Sequence, residues 1–250
     1  MYYGPRTITN GLILALDAAD RNSYPRSGTT WNNLASTAIT TTIYGSPTFV
    51  NQNGGYFDFD GVDNAMLTST TLPEAGGLYA DTSTRWSASC WFRFPTNPVD
   101  RGGPNANVGN AILGMAGGVA TGATFVFYVG SISNDGYNGS IANALMFVMR
   151  GAATRVSPGL VNDNTWHNTA VSWNGSTAAL YFDGVYIGDA LNNIGAGNQG
   201  YLLTIGNNAN NTAGYQMYQG GINSVFIYSI PLTASQVLQN YNALKSRYGR

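Results

Sequence analysis

Charged side chains are scarce in this chain. Its 250 residues carry 11 basic and 12 acidic side chains, with a net charge of −1. A nucleic-acid-binding surface needs a basic patch that neutralises phosphates. The tight basic group Lys245, Arg247 and Arg250 is explained more simply as a solvated helix end, where cations favour the helix dipole. The sequence therefore argues against nucleic acid as a partner.

Uncharged polar residues take the place of charge, with 28 asparagines and 32 glycines. Low charge removes the usual repulsion that keeps protein surfaces apart. Such a surface suits a protein held in an assembly, including an assembly with copies of itself. Polar uncharged surfaces also occur on secreted binding modules, so both classes stay open at this point.

Cysteine is nearly absent, because Cys90 is the only one. An intrachain disulfide is therefore impossible. In the alternating stretch "WSASCWFRF", Cys90 shares a face with Trp86, Ala88 and Phe92. A free cysteine in such a pattern packs as a small hydrophobe. The pattern predicts an inert core thiol rather than a nucleophile.

Export and membrane signals are also missing. The start, "MYYGPRTITNG", lacks the basic and apolar regions of a signal peptide. No apolar run approaches the length that a bilayer crossing needs. We expect a soluble chain that is made in a host cytoplasm and has no membrane partner. A role outside the cell would need another route, such as release of a particle by lysis.

The residues that catalysis needs are few. Glycosidases built on β sandwiches need paired carboxylates, whereas Glu74 is the only glutamate. Asp58, Asp60 and Asp63 lie in "FDFDGVD", where Asp and Gly favour turns. His167 is the only histidine, and the sequence contains no G-x-S-x-G elbow that would supply a catalytic serine. A zinc site would need a second imidazole or a pair of thiolates, and the sequence has neither. The sequence predicts a protein that is not an enzyme and has no cofactor.

Strand patterns fill most of the chain. The pairs Asn174-Gly175 and Asp183-Gly184 predict two tight hairpins within "TWHNTAVSWNGSTAALYFDGVYIG". The segment around Asp60-Gly61, "GGYFDFDGVDNAMLTS", predicts a hairpin or a bent strand pair. Further strands are predicted in "GLILALDA", "RWSASCWFRF", "ATFVFYVG", "ANALMFVMRG", "GYLLTIG" and "GGINSVFIYS".

One helix is predicted, over residues 233–246. Thr233 and Gln236 have the spacing of a capping box. Many short strands and one terminal helix predict an all-β protein, a two-layer antiparallel sandwich. The apolar stripe of the helix is predicted at Val237, Leu238, Tyr241 and Leu244.

Residues 1–250 are predicted to form one domain. The stretch "PTNPVDRGGPNANVGN", residues 95–110, resembles a linker in composition, but strands of the same style flank it. We interpret it as a long inserted loop in preference to a domain boundary. Residues 1–9, which are rich in apolar and aromatic side chains, are either a docking arm or a lead-in to the first strand.

Three stretches resemble one known fold family. The first, "TWHNTAVSWNGSTAALYFDG", resembles the laminin-G-like and pentraxin-like branch of the concanavalin A-like jelly rolls. The order of "LLTIGNN", "YQGGINSVFIYSIPLTASQVLQNYNAL" and a closing helix is similar to the same branch. The N-terminal "GLILALDAADRNSYPRSGTTWNNLA" and "GSPTFVNQNGGYFDFDGVDN" resemble the version found in tailed-phage structural proteins. The resemblance implies a jelly-roll sandwich of the concanavalin A-like lectin/glucanase fold.

The same resemblance draws attention to the stretch "IGNNANNTAGYQ", residues 205–216. Pentraxin-like relatives hold calcium at this place with carboxylates, whereas this chain has Asn208, Ala209 and Asn210 there. Gln216 matches a ligand of that pattern, and the early loop at about 121–124 supplies no carboxylate. Calcium affinity rises with charged oxygen ligands, so we predict no metal site. Asp135, Asp163 and Asp189 remain the acids that other loops could bring to it.

Two functions from different classes follow. The first is a virion structural protein of a tailed phage, in the capsid decoration, the tail or a fibre, which docks on other virion proteins through uncharged loops. The second is a lectin-like domain that recognises glycans with aromatic and amide side chains, Tyr201 among them. Both would use a contact loop whose candidate residues are Asn207, Asn208, Asn210, Tyr215, Gln216 and Tyr218.

Overall fold

The alternating apolar residues of the chain form the strands of two stacked sheets. A computed structural model describes residues 5–72, 83–98, 110–115, 125–130, 141–149, 152–190, 202–207 and 216–250. Within these residues, two antiparallel eight-stranded sheets form a sandwich, and one α-helix lies near the C terminus. The predicted all-β, two-sheet antiparallel sandwich with one short C-terminal helix is confirmed.

The first sheet has the order β14-β13-β12-β7-β16-β5-β4, and β1 pairs with the C-terminal part of β16. The predicted hairpins are both present, since β12 pairs with β13 and β13 pairs with β14. The strands are β1 (Leu12–Asp17), β4 (Thr48–Val50), β5 (Tyr56–Asp60), β7 (Trp86–Arg93), β12 (Trp166–Trp173), β13 (Ala178–Phe182), β14 (Val185–Asp189) and β16 (Gln219–Tyr228).

The second sheet has the order β11-β10-β9-β8-β15-β6-β3-β2. Each of its neighbouring pairs is antiparallel. The strands are β2 (Thr30–Asn32), β3 (Thr40–Tyr44), β6 (Ala65–Thr68), β8 (Asn110–Met115), β9 (Phe125–Val129), β10 (Ala144–Met149), β11 (Ala152–Leu160) and β15 (Thr204–Ile205).

One apolar core lies between the two sheets and includes side chains from Leu14 to Ile227. Alternate residues of β7 enter this core, Cys90 and Phe92 among them, as the sequence predicts. Burial raises the pKa of the Cys90 thiol, which keeps it in the unreactive protonated form. Each large apolar side chain buried here contributes about 1.5–3 kcal/mol to folding. The core therefore holds both ends of the described chain in one sandwich.

The helix α1 (Ala234–Leu244) covers the outer face of the first sheet. Thr233 caps it, and the predicted capping box with Gln236 is present. A short 3-10 helix, Lys245–Tyr248, follows and packs Tyr248 onto Trp91 of β7, with ring centroids 4.2 Å apart. The outer face of the first sheet is thus closed by the C-terminal segment.

The predicted apolar stripe of α1 is wrong at Leu238, which is exposed. Asn240 faces the sheet in its place and is buried. Its Oδ1 accepts from the Ile8 N–H at 2.7 Å, and its Nδ2 donates to the Tyr228 hydroxyl at 3.0 Å. The inner face of the helix is partly polar because it binds the N-terminal segment as well as the sheet.

The hairpin alternative around Asp60-Gly61 is also wrong. Asp60 ends β5 in the first sheet, where it pairs with Gln219. Ala65 begins β6 in the second sheet, where it pairs with Tyr44. The chain therefore crosses from one sheet to the other at this turn.

Two predicted segments fall partly outside the described residues. Residues 1–4 of the proposed docking arm lie outside them. Within the rest of that arm, the Arg6 carbonyl accepts from Gln239 Nε2 at 2.8 Å, and the Ile8 carbonyl accepts from the Tyr228 hydroxyl at 3.1 Å. Residues 6–8 therefore bind the protein's own helix and sheet. Residues 99–109 of the predicted inserted loop lie outside the described residues too.

Candidate functional site at the loop end of the sandwich

Several connections between the two sheets leave at the same end of the sandwich. Tyr44, the last residue of β3, pairs with Ala65, the first residue of β6. Ile205, the last residue of β15, pairs with Met66 in β6. The connections β3–β4, β5–β6 and β15–β16 therefore meet at one end, which we call the loop end. The stretch 205–216, singled out by sequence, belongs to this end.

The two ends of the β15–β16 connection are hydrogen-bonded to β8 and to each other. The Gly206 N–H donates to the Ile112 carbonyl, and the Ala111 N–H donates to the Gln216 carbonyl, each at 2.9 Å. The Tyr218 N–H closes the connection with a 2.9 Å bond to the Gly206 carbonyl. The described ends of the connection, at Gly206 and at Gln216–Tyr218, are therefore held in place by β8 and by each other.

Glycine is required at position 206. Its φ of 76° lies in the left-handed region that other residues rarely adopt. A Cβ at this position would lie 2.3 Å from Cε1 of Phe59, a core ring. The Ile-Gly step of the sequence is thus explained by close packing of the loop base on the core.

The described members of the predicted contact loop are not on the surface. Asn207 and Tyr218 are fully buried, and Gln216 is nearly so. The Tyr218 hydroxyl donates to the Arg93 carbonyl at 2.9 Å, and burial raises the pKa of Tyr218 well above its usual range. The expectation that Tyr218 is an exposed contact residue is corrected, because its ring belongs to the core. Asn208, Asn210 and Tyr215, like Tyr201, lie outside the described residues.

The aspartates at the β5–β6 crossing shape a turn. Asp60 Oδ1 accepts from the Val62 N–H at 2.8 Å, and the Asp60 N–H donates to Asn64 Oδ1 at 2.9 Å. Asn64 Nδ2 in turn donates to the Gly45 carbonyl at 2.6 Å and to Asp63 Oδ1 at 3.1 Å. Asp60 therefore bonds its local backbone, as the turn interpretation of "FDGVD" predicts.

Asp58 points from β5 towards the cation of Arg93. Their closest atoms, Asp58 Oδ1 and Arg93 Nη2, are 3.9 Å apart. Burial raises the pKa of Asp58, and the Arg93 charge partly offsets that rise. The Arg93 guanidinium lies over the rings of Tyr56 and Trp166, at 4.9 Å and 5.6 Å from their centroids. Both rings are buried, so this cluster offers no exposed aromatic platform for a sugar.

His167 lies in a second polar cluster at the start of β12. Its Nδ1 is 2.9 Å from Asp183 Oδ2, and its Nε2 is 3.1 Å from Thr165 Oγ1. Asp183 also accepts from the Asn168 N–H at 2.7 Å, so it joins β12 to the β13–β14 turn. Arg250 donates to Thr165 Oγ1 at 3.0 Å and to the Trp166 carbonyl at 2.9 Å. The cluster holds the C terminus on the sheet.

Asp163 completes this second cluster. Burial raises its pKa, but hydrogen bonds from Thr165 and the nearby His167 outweigh burial and hold the pKa below its usual value. Thr165 Oγ1 donates to Asp163 Oδ1 at 2.8 Å, so this hydroxyl is already bound by a carboxylate. The sequence did not predict this cluster, because Asp183 and Arg250 reach His167 only through strand pairing and C-terminal packing.

No group of three or more metal-ligating acids, histidines or cysteines occurs in the described part of the chain. Asp163 is engaged with Thr165 and His167, and Asp189 lies at the opposite end of the first sheet, paired with Ala179. Asp135 and residues 121–124 lie outside the described residues. The absence of calcium stays a prediction. The described chain also holds no helix of the length and apolarity that crossing a membrane requires.

Comparison with known proteins agrees with this architecture. A family model, Laminin_G_3, described as the concanavalin A-like lectin/glucanases superfamily, matches residues 61–238. None of the curated protein sequences matches the chain.

Solved structures show the same fold at low sequence identity. Trypanosoma rangeli sialidase in complex with the inhibitor DANA superposes with a TM-score of 0.66 at 11% identity, over 96% of this chain and 34% of the sialidase. The botulinum neurotoxin serotype D/C binding domain gives 0.65 at 14% identity, over 95% of this chain and 53% of that one. Domain 4 of AbnA, an arabinanase from Geobacillus stearothermophilus in complex with arabinotriose, gives 0.59 at 14% identity, over 96% of this chain and 100% of the domain. This chain thus spans about a third of the sialidase, and these likenesses establish the fold alone.

Proposed function

We propose that this chain, which belongs to the concanavalin A-like lectin/glucanase superfamily, is a non-enzymatic structural protein of a tailed-phage virion. In this role a rigid β sandwich docks on other virion proteins through its surface, in the capsid decoration, the tail or a fibre. The chain is made in the host cytoplasm and released within the particle. The resemblance of the N-terminal third to phage structural proteins is the starting point for this proposal.

The observation that carries the non-enzymatic part is how the described polar groups of the loop end are used. Asp60 bonds its own turn, Asp183 bonds His167 and a backbone N–H, and Asp163 bonds Thr165. A general acid or base must reach a substrate proton with one of its polar atoms. The hydroxyl next to His167, Thr165 Oγ1, donates its proton to Asp163 Oδ1 and so does not donate it to the histidine, which supports action through surface contacts.

The virion role is tested with particles that lack this chain. Purified protein is added back to gradient-purified particles, and its binding is followed by co-sedimentation. We expect saturable binding at a fixed number of copies per particle, because docking sites repeat with the symmetry of the particle. An unrelated β-sandwich protein of similar charge serves as the control. Binding that never saturates, or that the control matches, contradicts the proposal.

Glycan binding is the second candidate function. The observation in its favour is that domain 4 of AbnA, which shares this fold over its full length, was solved in complex with arabinotriose. In this chain, Gly206 and Gln216 are hydrogen-bonded to β8, and the sequence between them, residues 208–215, is rich in amides. Asn208, Asn210 and Tyr215 supply amide and aromatic side chains of the kind that bind sugars.

A glycan array followed by calorimetric titration decides on the second candidate. Both are run with calcium and with a chelator. Because this stretch lacks the carboxylate ligands that calcium needs, we expect glycan binding to be independent of calcium. A glycan-binding domain without a metal site binds equally under both conditions, and the double variant Asn208→Ala/Asn210→Ala loses binding. If no glycan gives a measurable titration, glycan binding is removed as a candidate and the structural role remains.

A further inference from the structure

The outermost strands of the two sheets differ in how their edges are protected. An exposed edge presents unpaired backbone groups, and natural proteins blunt it with short strands, charges or proline. β2 and β4 are three residues long. β11 carries Arg155 and Pro158, and the Arg155 guanidinium bonds the Pro158 carbonyl at 3.1 Å. The edge of β1 is occupied by Asn33, which bonds the Ala15 N–H and the Ile13 carbonyl.

β14 is the outermost strand of the first sheet; it has five residues, no proline and a single charged residue at its end. Val185, Tyr186 and Ile187 are 60%, 51% and 39% exposed, which is unusual for three consecutive apolar residues. The strand's one charged residue, Asp189, accepts a hydrogen bond from the Tyr186 hydroxyl at 3.0 Å. This edge is therefore apolar, and its carboxylate is already partnered.

The backbone of β14 is well placed to receive another strand. The turn before it has positive φ at Asp183 and Gly184, as a tight two-residue hairpin requires. Val185 pairs with Phe182 and Tyr186 with Tyr181, and the register shifts only beyond them, towards Gly188. In an antiparallel ladder alternate residues turn their N–H and C=O away from the partner. Of the two regularly paired residues, Val185 and Tyr186, one therefore turns its backbone N–H and C=O to the outer side.

On the face that carries the helix, Tyr186 lies against Tyr181 and the apolar surface continues towards α1. Val185, paired with Phe182, lies on the opposite face. Gly184 lies against α1, where a Cβ would be 2.9 Å from Cβ of Tyr241. Leu238 lies one turn earlier on the same side of α1 and is 44% exposed. Together Val185, Tyr186, Ile187 and Leu238 form what we call the β14 patch.

We propose that a second copy of this chain docks on the β14 patch, with the two β14 strands antiparallel about a two-fold axis. A second β14 supplies an extended strand whose apolar side chains match those of this edge. A net charge of −1 gives little repulsion between copies. A five-residue strand and one helix side chain bury less than the roughly 1,200–2,000 Å² of a stable interface. The dimer is therefore weak and depends on concentration, and the proposal is independent of the virion role.

Sedimentation velocity of the full chain, from about 1 µM to about 1 mM, tests the dimer. We expect the average mass to rise towards twice that of the monomer. The double variant Val185→Lys/Ile187→Lys should stay monomeric, because it places charges across the two-fold axis. The matched control is Leu160→Lys, which charges an equally exposed residue (56%) on the blunted edge β11 and should behave as the unmodified chain. A wild-type chain that stays monomeric, or a dimer that the β14 substitutions leave intact, overturns the proposal.

Disulfide capture gives a second readout that does not depend on the lysine variants folding. The native Cys90 is buried, so an introduced surface cysteine is the only thiol available in the folded chain. With the two-fold axis at Tyr186, the two copies of Tyr186→Cys lie directly opposite each other at about 4.5–5.5 Å, so an intermolecular disulfide should form under mild oxidation. Leu160→Cys should not form one. Equal crosslinking of the two variants contradicts docking on β14.

Discussion

The N-terminal stretch 17–33 and strand β14 use their side chains in opposite ways. The first is rich in conspicuous polar residues, and its described contacts are with the protein's own fold. Asp17 bonds Arg247 through both carboxylate oxygens, at 2.8 Å and 3.1 Å, and Ser23 bonds the Asn32 carbonyl at 2.7 Å. β14 has an ordinary sequence, yet its apolar side chains are exposed. Conspicuous motifs in this fold are thus structural, while a plain edge strand remains free for contacts.

The largest expected effect is on the pair that fastens the N-terminal stretch to the C terminus. Arg247→Ala leaves the partly buried Asp17 carboxylate with the Ala19 N–H but without its cation, which costs about 3 kcal/mol of unfolding free energy. Urea unfolding measures the loss. The control Arg21→Ala, an exposed arginine in the same stretch, should change stability by about 0.5 kcal/mol or less. Equal losses of unfolding free energy in the two variants would show that the Asp17–Arg247 pair does not stabilise the stretch 17–33.

Gly206→Ala should cost about 1–3 kcal/mol, since alanine disfavours a φ of 76° and would collide with Phe59. The steric part can be separated from the backbone part. In the double variant Gly206→Ala/Phe59→Leu, the two losses should sum to more than the measured loss, because leucine leaves space for the new methyl group. Strictly additive losses would contradict the close contact between the loop base and the core.

Asn33→Ala should cost about 1–3 kcal/mol, because it leaves the Ala15 N–H and the Ile13 carbonyl without the side chain that bonds them. Asn32→Ala is the matched control, since Asn32 is exposed and its side chain makes one long 3.4 Å bond. Thermal unfolding of both variants measures the difference. If Asn33→Ala is as stable as Asn32→Ala, Asn33 does not stabilise the fold by covering the edge of β1.

Ile187→Thr should have the smallest effect, about 0.5 kcal/mol or less, because it replaces an exposed β-branched residue by another. Stability is measured by urea unfolding at low concentration, where the chain is monomeric. A loss as large as that of Asn33→Ala would mean that β14 serves the fold in the same way as the N-terminal stretch, and the contrast between the two regions would fail.

Local patterns were enough to predict most of the strands and the helix cap. The Asn174-Gly175 and Asp183-Gly184 turns, the alternation around Cys90 and the Thr233 cap depend on neighbours a few residues away, and all are present. Sheet membership was not predictable at Asp60-Gly61, because it depends on the distant partners of β5 and β6.

The candidate site was predicted less well for the same reason. Tyr218 has a hydroxyl that suits a ligand, but the Arg93 carbonyl accepts from it across more than a hundred residues of sequence. The Gln216 backbone carbonyl is likewise bound by the Ala111 N–H of β8. Asn240 was missed because its partners, Ile8 and Tyr228, meet only when the N-terminal segment crosses the helix. Side chains whose roles depend on distant backbone groups leave no local pattern in the sequence.

The central claim is that this chain is a structural part of a virion, and quantitative mass spectrometry of gradient-purified particles tests it most directly. The account predicts that the chain co-purifies with intact particles at a constant ratio to the major structural proteins, through successive gradients and high salt. A chain that stays in the host lysate and is absent from infectious particles would contradict it.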